Sequence, residues 1–205
     1  MGIKERRERE KQITRQAILT AALQIARQEG WPALTIRKVG ERIEYSPPMV
    51  YEYFTRKEDI LLELLQEGFR QLKATMQQAE MSTEGREEHV LRIADAYWQF
   101  AISNPELYQL MHGLSGVSLD RAVITQAVQE VCMMTQEAIL NWAEVRGVAL
   151  SDARGATEIV WSLVHGLVSL ALVNRVEGGE QRAKDLMHHA IQSQLAGWKV
   201  AQKDL

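Results

Sequence analysis

Three helix-start signals crowd into residues 35–58, and nothing else in this 205-residue chain restricts its fold so strongly. Thr35 stands just ahead of the apolar positions Ile36, Val39 and Ile43, where its hydroxyl can cap a short helix. Ser46 precedes Pro47, a residue suited to the first helical position because an N–H there has no intrahelical partner. Thr55-Arg56-Lys57-Glu58 has the form of a capping box, with hydroxyl and carboxylate three residues apart. The helices so bounded are a second of about two turns and a third from Pro47 to about Phe54, separated by Glu44-Tyr45-Ser46. Each is too short to hold alone, so both must pack on a neighbour. The first helix supplies one, with Ile13, Ala17, Ile18, Ala21, Ala22 and Ile25 on one face and Gly30 as its stop. This spacing is that of a helix-turn-helix, and equally of a tight αα corner in a helical bundle.

The rest of the chain is helical by pattern as well. Only four prolines and three phenylalanines occur, and 46% of the residues are apolar, enough for a real core. A fourth helix of about 20 residues runs through Ile60, Leu61, Leu64, Leu65, Leu72 and Met76, too long to belong only to the N-terminal unit. Breaks near Met81–Gly85, Ser103–Pro105, Gly113–Ser118, Gly147–Ser151 and Gly178–Gly179 leave helices of about 86–102, 105–113, 119–146, 151–176 and 180–200. The expected fold is all-α: a three-helix N-terminal domain over residues 1–60, joined by a helix to a larger bundle over 61–205 that dimerises. No stretch reaches the roughly 18 uncharged apolar residues of a membrane span, so no membrane partner is expected. The charged start, Met1 to Lys11, is unlike a secretory signal, and the single Cys132 fits a reducing cytoplasm.

Charge is divided along the chain. Residues 1–60 carry 12 Lys and Arg against 9 Asp and Glu, whereas residues 61–205 carry 12 against 18. That asymmetry suits two parts with different partners, the first of them anionic.

The run from Thr35 to Glu58 closely resembles the signature of tetracycline-repressor-like regulators. The match lies in the capping Thr35, the turn residue Ser46, the aromatic pair Tyr51 and Tyr53, the closing Phe54 and the Lys57-Glu58 that opens the next helix. The resemblance covers about residues 12–70 and implies a DNA-binding transcription regulator, a repressor released by a small apolar or amphipathic effector. Its partners would be double-stranded palindromic operator DNA, that effector and a second copy of itself. Helix starts at Thr35, at Ser46 and at the Thr55–Lys57 turn present backbone donors suited to phosphate, and Arg37 and Lys57 add positive charge. Tyr51 and Tyr53 offer a hydroxyl to phosphate and a ring to a thymine methyl, and Pro47, Pro48 and Met49 complete the expected DNA-facing set. Val50 and Phe54 share the opposite face and belong to the core.

Three features depart from the pattern. Glu44 stands where the family usually has glycine; Pro47-Pro48 removes two backbone donors; and the third helix has no Lys or Arg but carries Glu52, so bidentate guanine readout is not open to it. Specificity would then come from apolar contacts to thymine methyls, from the shape of the site, or from the N-terminal arm with Lys4, Arg6, Arg7, Arg9 and Lys11. That arm can also be read simply as the start of the first helix.

In the larger part, Trp161-x-x-x-His165-Gly166, with Tyr97-Trp98 and Leu107-Tyr108, resembles a C-terminal subclass of the family marked by a Trp-His-Gly element. Trp98, Met111, Met134, Trp161 and His165 are the candidate effector-binding residues, each equally able to be plain core. Val160, Leu163, Val164, Leu167, Leu170, Ala171 and Leu172 cover too much circumference for a helix with one buried face. Two copies of the last two helices would bury the excess as a four-helix bundle, the alternative being a helix enclosed within one subunit. No glycine-rich phosphate loop, Gly-x-Ser-x-Gly or Glu-x-x-His motif is present, and His188 and His189 are adjacent and point apart on a helix. No enzyme activity, metal or cofactor is therefore expected. The competing reading is a helical small-molecule-binding or adaptor protein that keeps the motif without using it on DNA, favoured by Glu44, Glu52 and the paired prolines.

Overall fold

The computed structural model describes residues 2–81, 88–116 and 121–201, and among these it contains nine α-helices and no strand. In order they are α1 Ile3–Glu29, α2 Ile36–Arg42, α3 Pro47–Tyr51, α4 Lys57–Glu80, α5 His89–Ser103, α6 Pro105–Met111, α7 Arg121–Arg146, α8 Ala153–Leu172 and α9 Gly179–Ala201, with a 3-10 turn at Trp31–Ala33. The all-α expectation holds. The break at 82–85 and the chain at 117–120 lie outside the described residues.

Packing divides the chain into two units, Met1–Gly68 with Glu106–Ile124, and Phe69–Pro105 with Thr125–Leu205. The cut expected at residue 60 thus falls within α4, and α6 goes with the N-terminal unit. The reason is local. Trp31 Nε1 donates to the Glu106 carbonyl at 3.0 Å, and α6 buries Leu107, Tyr108, Leu110 and Met111. Gly68 makes that approach possible, since a Cβ there would lie 2.5 Å from the Met111 sulfur.

In the N-terminal unit, Ile18, Ala22 and Ile25 of α1 meet a core built from Leu34, Ile36, Val39, Val50, Phe54, Ile60, Leu61, Leu64 and Leu65, all buried. Val50 and Phe54 are the core residues their spacing indicates. Arg15 fastens α1 to the turn after α3: it pairs with Glu63, donates to the Tyr53 carbonyl at 3.2 Å and lies 4.3 Å over the Phe54 ring. The charged start of the chain is helical from Ile3 and continuous with α1, held by an Arg6–Glu10 pair at 2.9 Å and by Gln12 donating to Glu8 at 3.3 Å.

In the second unit α8 packs on α5 and α9, and Val160, Val164 and Val168 face Ala183, Met187, Ile191 and Leu195 in a buried seam. Asp95 of α5 accepts from Lys184 at 3.0 Å and lies 2.8 Å from His188, both on α9. Asp152 caps α8 by accepting from the Gly155 N–H at 2.8 Å. Asn174, with φ 52°, ends it in the left-handed conformation, with Arg175 N–H returning to the Leu170 carbonyl at 2.9 Å. That stop comes before the residue 176 expected from periodicity. By length and a mean hydropathy of 1.4, α8 passes a looser measure of a membrane span than the run of about 18 uncharged apolar residues, which it does not reach. Its charges, Arg154 and Glu158, fall in the first turns and leave an apolar remainder.

Candidate nucleic-acid interface and interior cavity

The α2–α3 corner is built by backbone fit. Thr35 accepts from the Lys38 N–H at 3.2 Å and caps α2 as its position indicates. Glu44 then turns the chain with φ 59°, so a non-glycine does hold the left-handed position. Tyr45 N–H closes the turn on the Gly40 carbonyl at 2.9 Å. Gly40 lies directly beneath: a Cβ there would meet the Tyr45 carbonyl oxygen at 2.7 Å. Relief of the strain at residue 44 gives a direct test. Glu44→Gly is expected to raise stability by about 0.5–1 kcal/mol, the left-handed penalty less the entropy glycine adds to the unfolded chain. A urea midpoint that stays or falls would contradict it.

Two start signals differ from expectation. Ser46 occupies the N-cap of α3, but its hydroxyl makes no capping hydrogen bond. Proline at the first two helical positions leaves Met49 as the first residue with an N–H, and that N–H goes to the Ser46 carbonyl at 3.0 Å. The capping box is displaced by one residue: α4 begins at Lys57, and the Asp59 carboxylate accepts from the Arg56 N–H at 3.1 Å. The third helix ends at Tyr51 instead of near Phe54, since the Tyr53 and Phe54 N–H groups both return to the Val50 carbonyl, at 3.0 and 3.1 Å.

Of the expected DNA-facing residues, Thr35, Arg37, Ser46, Pro48 and Tyr51 are exposed, and Pro47, Met49, Tyr53 and Lys57 are half-buried. None is buried, while Val50 between them is fully so. Arg37 extends into solvent and pairs only along its own helix, with Glu41 at 2.8 Å. A short helix with an apolar underside and an open outer side, set after a tight turn, is the construction of a DNA reader.

The second unit holds a small interior cavity lined by Val90, Ile93, Ala94, Tyr97, Thr135, Val160, Trp161 and Val164. Trp161 meets Tyr97 edge-on at 6.4 Å, and His165 stacks on Trp161 at 5.9 Å. Burial pushes His165 below the usual histidine value and so favours its neutral form. Of the five candidate effector residues, only Trp161 lines this cavity. Trp98 and Met134 are buried, and their neighbours Tyr97 and Thr135 line it instead. Met111 belongs to the N-terminal unit, against Gly68. Thr135 escapes notice in the sequence because its hydroxyl, donating to the Val131 carbonyl at 3.3 Å, lets it pass as a helix-interior residue.

The geometry defines a helix-turn-helix DNA-binding protein with a separate helical unit. Residues 18–64 match the bacterial regulatory proteins of the tetR family, and residues 90–193 match the tetracyclin repressor-like C-terminal domain. The chain belongs to the TetR family of transcriptional regulators, and is a DNA-binding regulator and not an enzyme. It is 28% identical over 193 residues, covering 94% of this chain and 96% of the relative, to the uncharacterized HTH-type transcriptional regulator YobS of Bacillus subtilis (strain 168). The fold is shared with a protein of unknown function from Rhodococcus sp. RHA1, at TM-score 0.77 and 20% identity over 89% of this chain and 94% of the other. It is shared also with the TetR family regulator PfmR from Thermus thermophilus, at TM-score 0.68 and 18% identity over 87% and 97%.

Proposed function

We propose that the chain is a dimeric repressor whose α3 enters the major groove of a palindromic operator and whose second unit binds a small apolar effector that releases it. One observation carries the DNA contact: none of Thr35, Arg37, Ser46, Pro47, Pro48, Met49, Tyr51, Tyr53 and Lys57 is buried, while Ile36, Val39, Val50 and Phe54 between them are. The exposed backbone starts and Lys57 hold phosphate, and Pro48, Met49 and Tyr51 meet base edges through apolar contact with thymine methyls. Two copies joined through α8 and α9 would present two α3 helices about 34–36 Å apart, one turn of DNA. The cavity at Tyr97 and Trp161 has a volume of only about 10 Å³, so an effector would have to part its walls, and the lining, which offers no charged group, suits an uncharged one. α4 spans the boundary between the units and would carry the change from one to the other. Such a regulator works beside the chromosome, hence in the cytoplasm.

Duplex binding should weaken steeply with salt, by about 0.9 in logarithmic slope for each phosphate neutralised. Lys57→Ala is expected to remove about two such units from a bound dimer, one for each copy, and Tyr51→Ala to weaken binding and relax base preference. Salt-independent binding, or variants equal to the unaltered protein, would count against the reading.

A further inference from the structure

The first turns of α1 bring charge to the flank of α3. A groove open to solvent is lined by Arg7, Glu10, Lys11 and Thr14 of α1, by Tyr45 just before α3 and by Glu52 and Tyr53 just after it. Arg7, Lys11 and Thr14 lie at four- and three-residue steps, so they share one face of a continuous helix. Both cations are exposed, and neither has an ion-pair partner among the described residues. The neighbouring Arg6 differs, because its guanidinium is engaged with Glu10 at 2.9 Å. Holding two unpaired cations close together costs electrostatic energy, and an anion would relieve it.

We infer that Arg7 and Lys11 form a second phosphate clamp, gripping the duplex backbone beside the stretch that α3 reads. The inference rests on the reading of α3 as the DNA-facing helix, and the groove shares Tyr53 with that surface. A polyanionic backbone is the occupant that fits, since it runs past the flank of any helix seated in a groove and needs charge but no sequence. The hydroxyls of Thr14 and Tyr45 add neutral donors. Glu52 opposes the contact. Glu10 does so less, being neutralised by Arg6. The clamp supplies cations that α3, without Lys or Arg, does not itself carry.

The test uses the full-length protein and a duplex selected by it from a random-sequence pool, in a long form and in a form trimmed to the protected core. Arg7→Ala with Lys11→Ala is expected to make the logarithmic salt slope shallower by about 3.6 for a bound dimer, two phosphates' worth from each copy, on the long duplex. Base preference should not change. Trimming should weaken the unaltered protein and leave the double variant almost unaffected. Glu52→Gln should tighten binding. Arg175→Ala with Arg182→Ala removes the same charge from the second unit and should leave the slope unchanged, which separates contact from net charge. Both altered positions in α1 are exposed, so helicity by circular dichroism should match that of the unaltered protein. If the unaltered protein binds with a steep slope and the double variant keeps it, the clamp is wrong while the α3 reading stands. If the unaltered protein shows no salt-dependent binding to any duplex, both fall.

Discussion

Gly40→Ala should cost about 1–3 kcal/mol of stability and nearly abolish duplex binding, because the added methyl strikes backbone. The contact in question is 2.7 Å to the Tyr45 carbonyl oxygen, with Val50 at 3.5 Å and the Pro47 nitrogen at 3.6 Å behind it. A flexible side chain could swing aside at small cost, but this carbonyl belongs to the turn that aims α3. Two responses are open to the protein, to widen the α2–α3 corner or to unfold it. Either displaces Tyr51 and Met49 from the positions a groove requires, and a misplacement of about 1 Å breaks a hydrogen bond to a base edge or phosphate. The loss of DNA binding should therefore exceed what the stability change alone explains. Urea unfolding and a duplex titration under conditions where circular dichroism shows the variant folded would measure the two separately. A Gly40→Ala protein that binds as tightly as the unaltered one would show that the corner does not position α3.

Gly40 also marks where sequence reasoning stops. The apolar periodicity of α2, the Thr35 cap and the inward-facing Val50 and Phe54 all follow from local spacing, and each stands in the structure as read. Nothing local says that the chain returns over residue 40, because that depends on a turn five residues later. Glu44 is the intermediate case. A helix stop is legible there, and the left-handed conformation can be stated as a cost, yet only the structure shows it at φ 59°. The start signals of α3 and α4 fail for a different reason. Ser46 has the residue type of a cap, but the two prolines that follow remove or redirect the donors it would satisfy. Around residue 56 the sequence holds two overlapping carboxylate spacings, Thr55 to Glu58 and Arg56 to Asp59, and packing selects the second. Met111 and Trp161 fall in different packing units, which their shared apolar pattern does not reveal. A tryptophan indole and a glycine, Trp31 and Gly68, instead draw α6 to the N-terminal unit. Local chemistry thus reveals the elements and their inner faces, whereas close backbone approach decides which elements meet.

Leu167→Glu should convert a dimer to a monomer and lower duplex affinity by about 100-fold or more, through loss of the second half-site. Ile159, Leu163, Gly166 and Leu170 lie at three- and four-residue steps on α8 and, with Leu167 at their edge, form a strip beside the buried Val160, Val164 and Val168. Ile159 and Leu170 are each 42% exposed, and Leu163 and Leu167 are half-buried. Leu186 and Ala190 of α9 are likewise half-buried. An apolar strip of this length is costly in water, at about 25 cal/mol for each square ångström left uncovered. In the proposed dimer a second copy would cover it by two-fold symmetry, strip against strip, with Gly166 allowing the two backbones to approach. A glutamate at 167 would place two carboxylates near that axis without partners, so association rather than folding should fail. Gly166→Arg offers an independent check, because Gly166 is exposed and a Cβ there points into open space, so the chain can accept the longer side chain while an interface at this strip cannot. Sedimentation of both variants should show folded monomers with native helicity. Their duplex binding should be shifted to higher protein concentration and rise more steeply, toward second order, since two monomers must then assemble on the DNA. If both variants sediment as dimers with unchanged duplex affinity, the two-fold contact lies on another face and the strip on α8 needs a different partner.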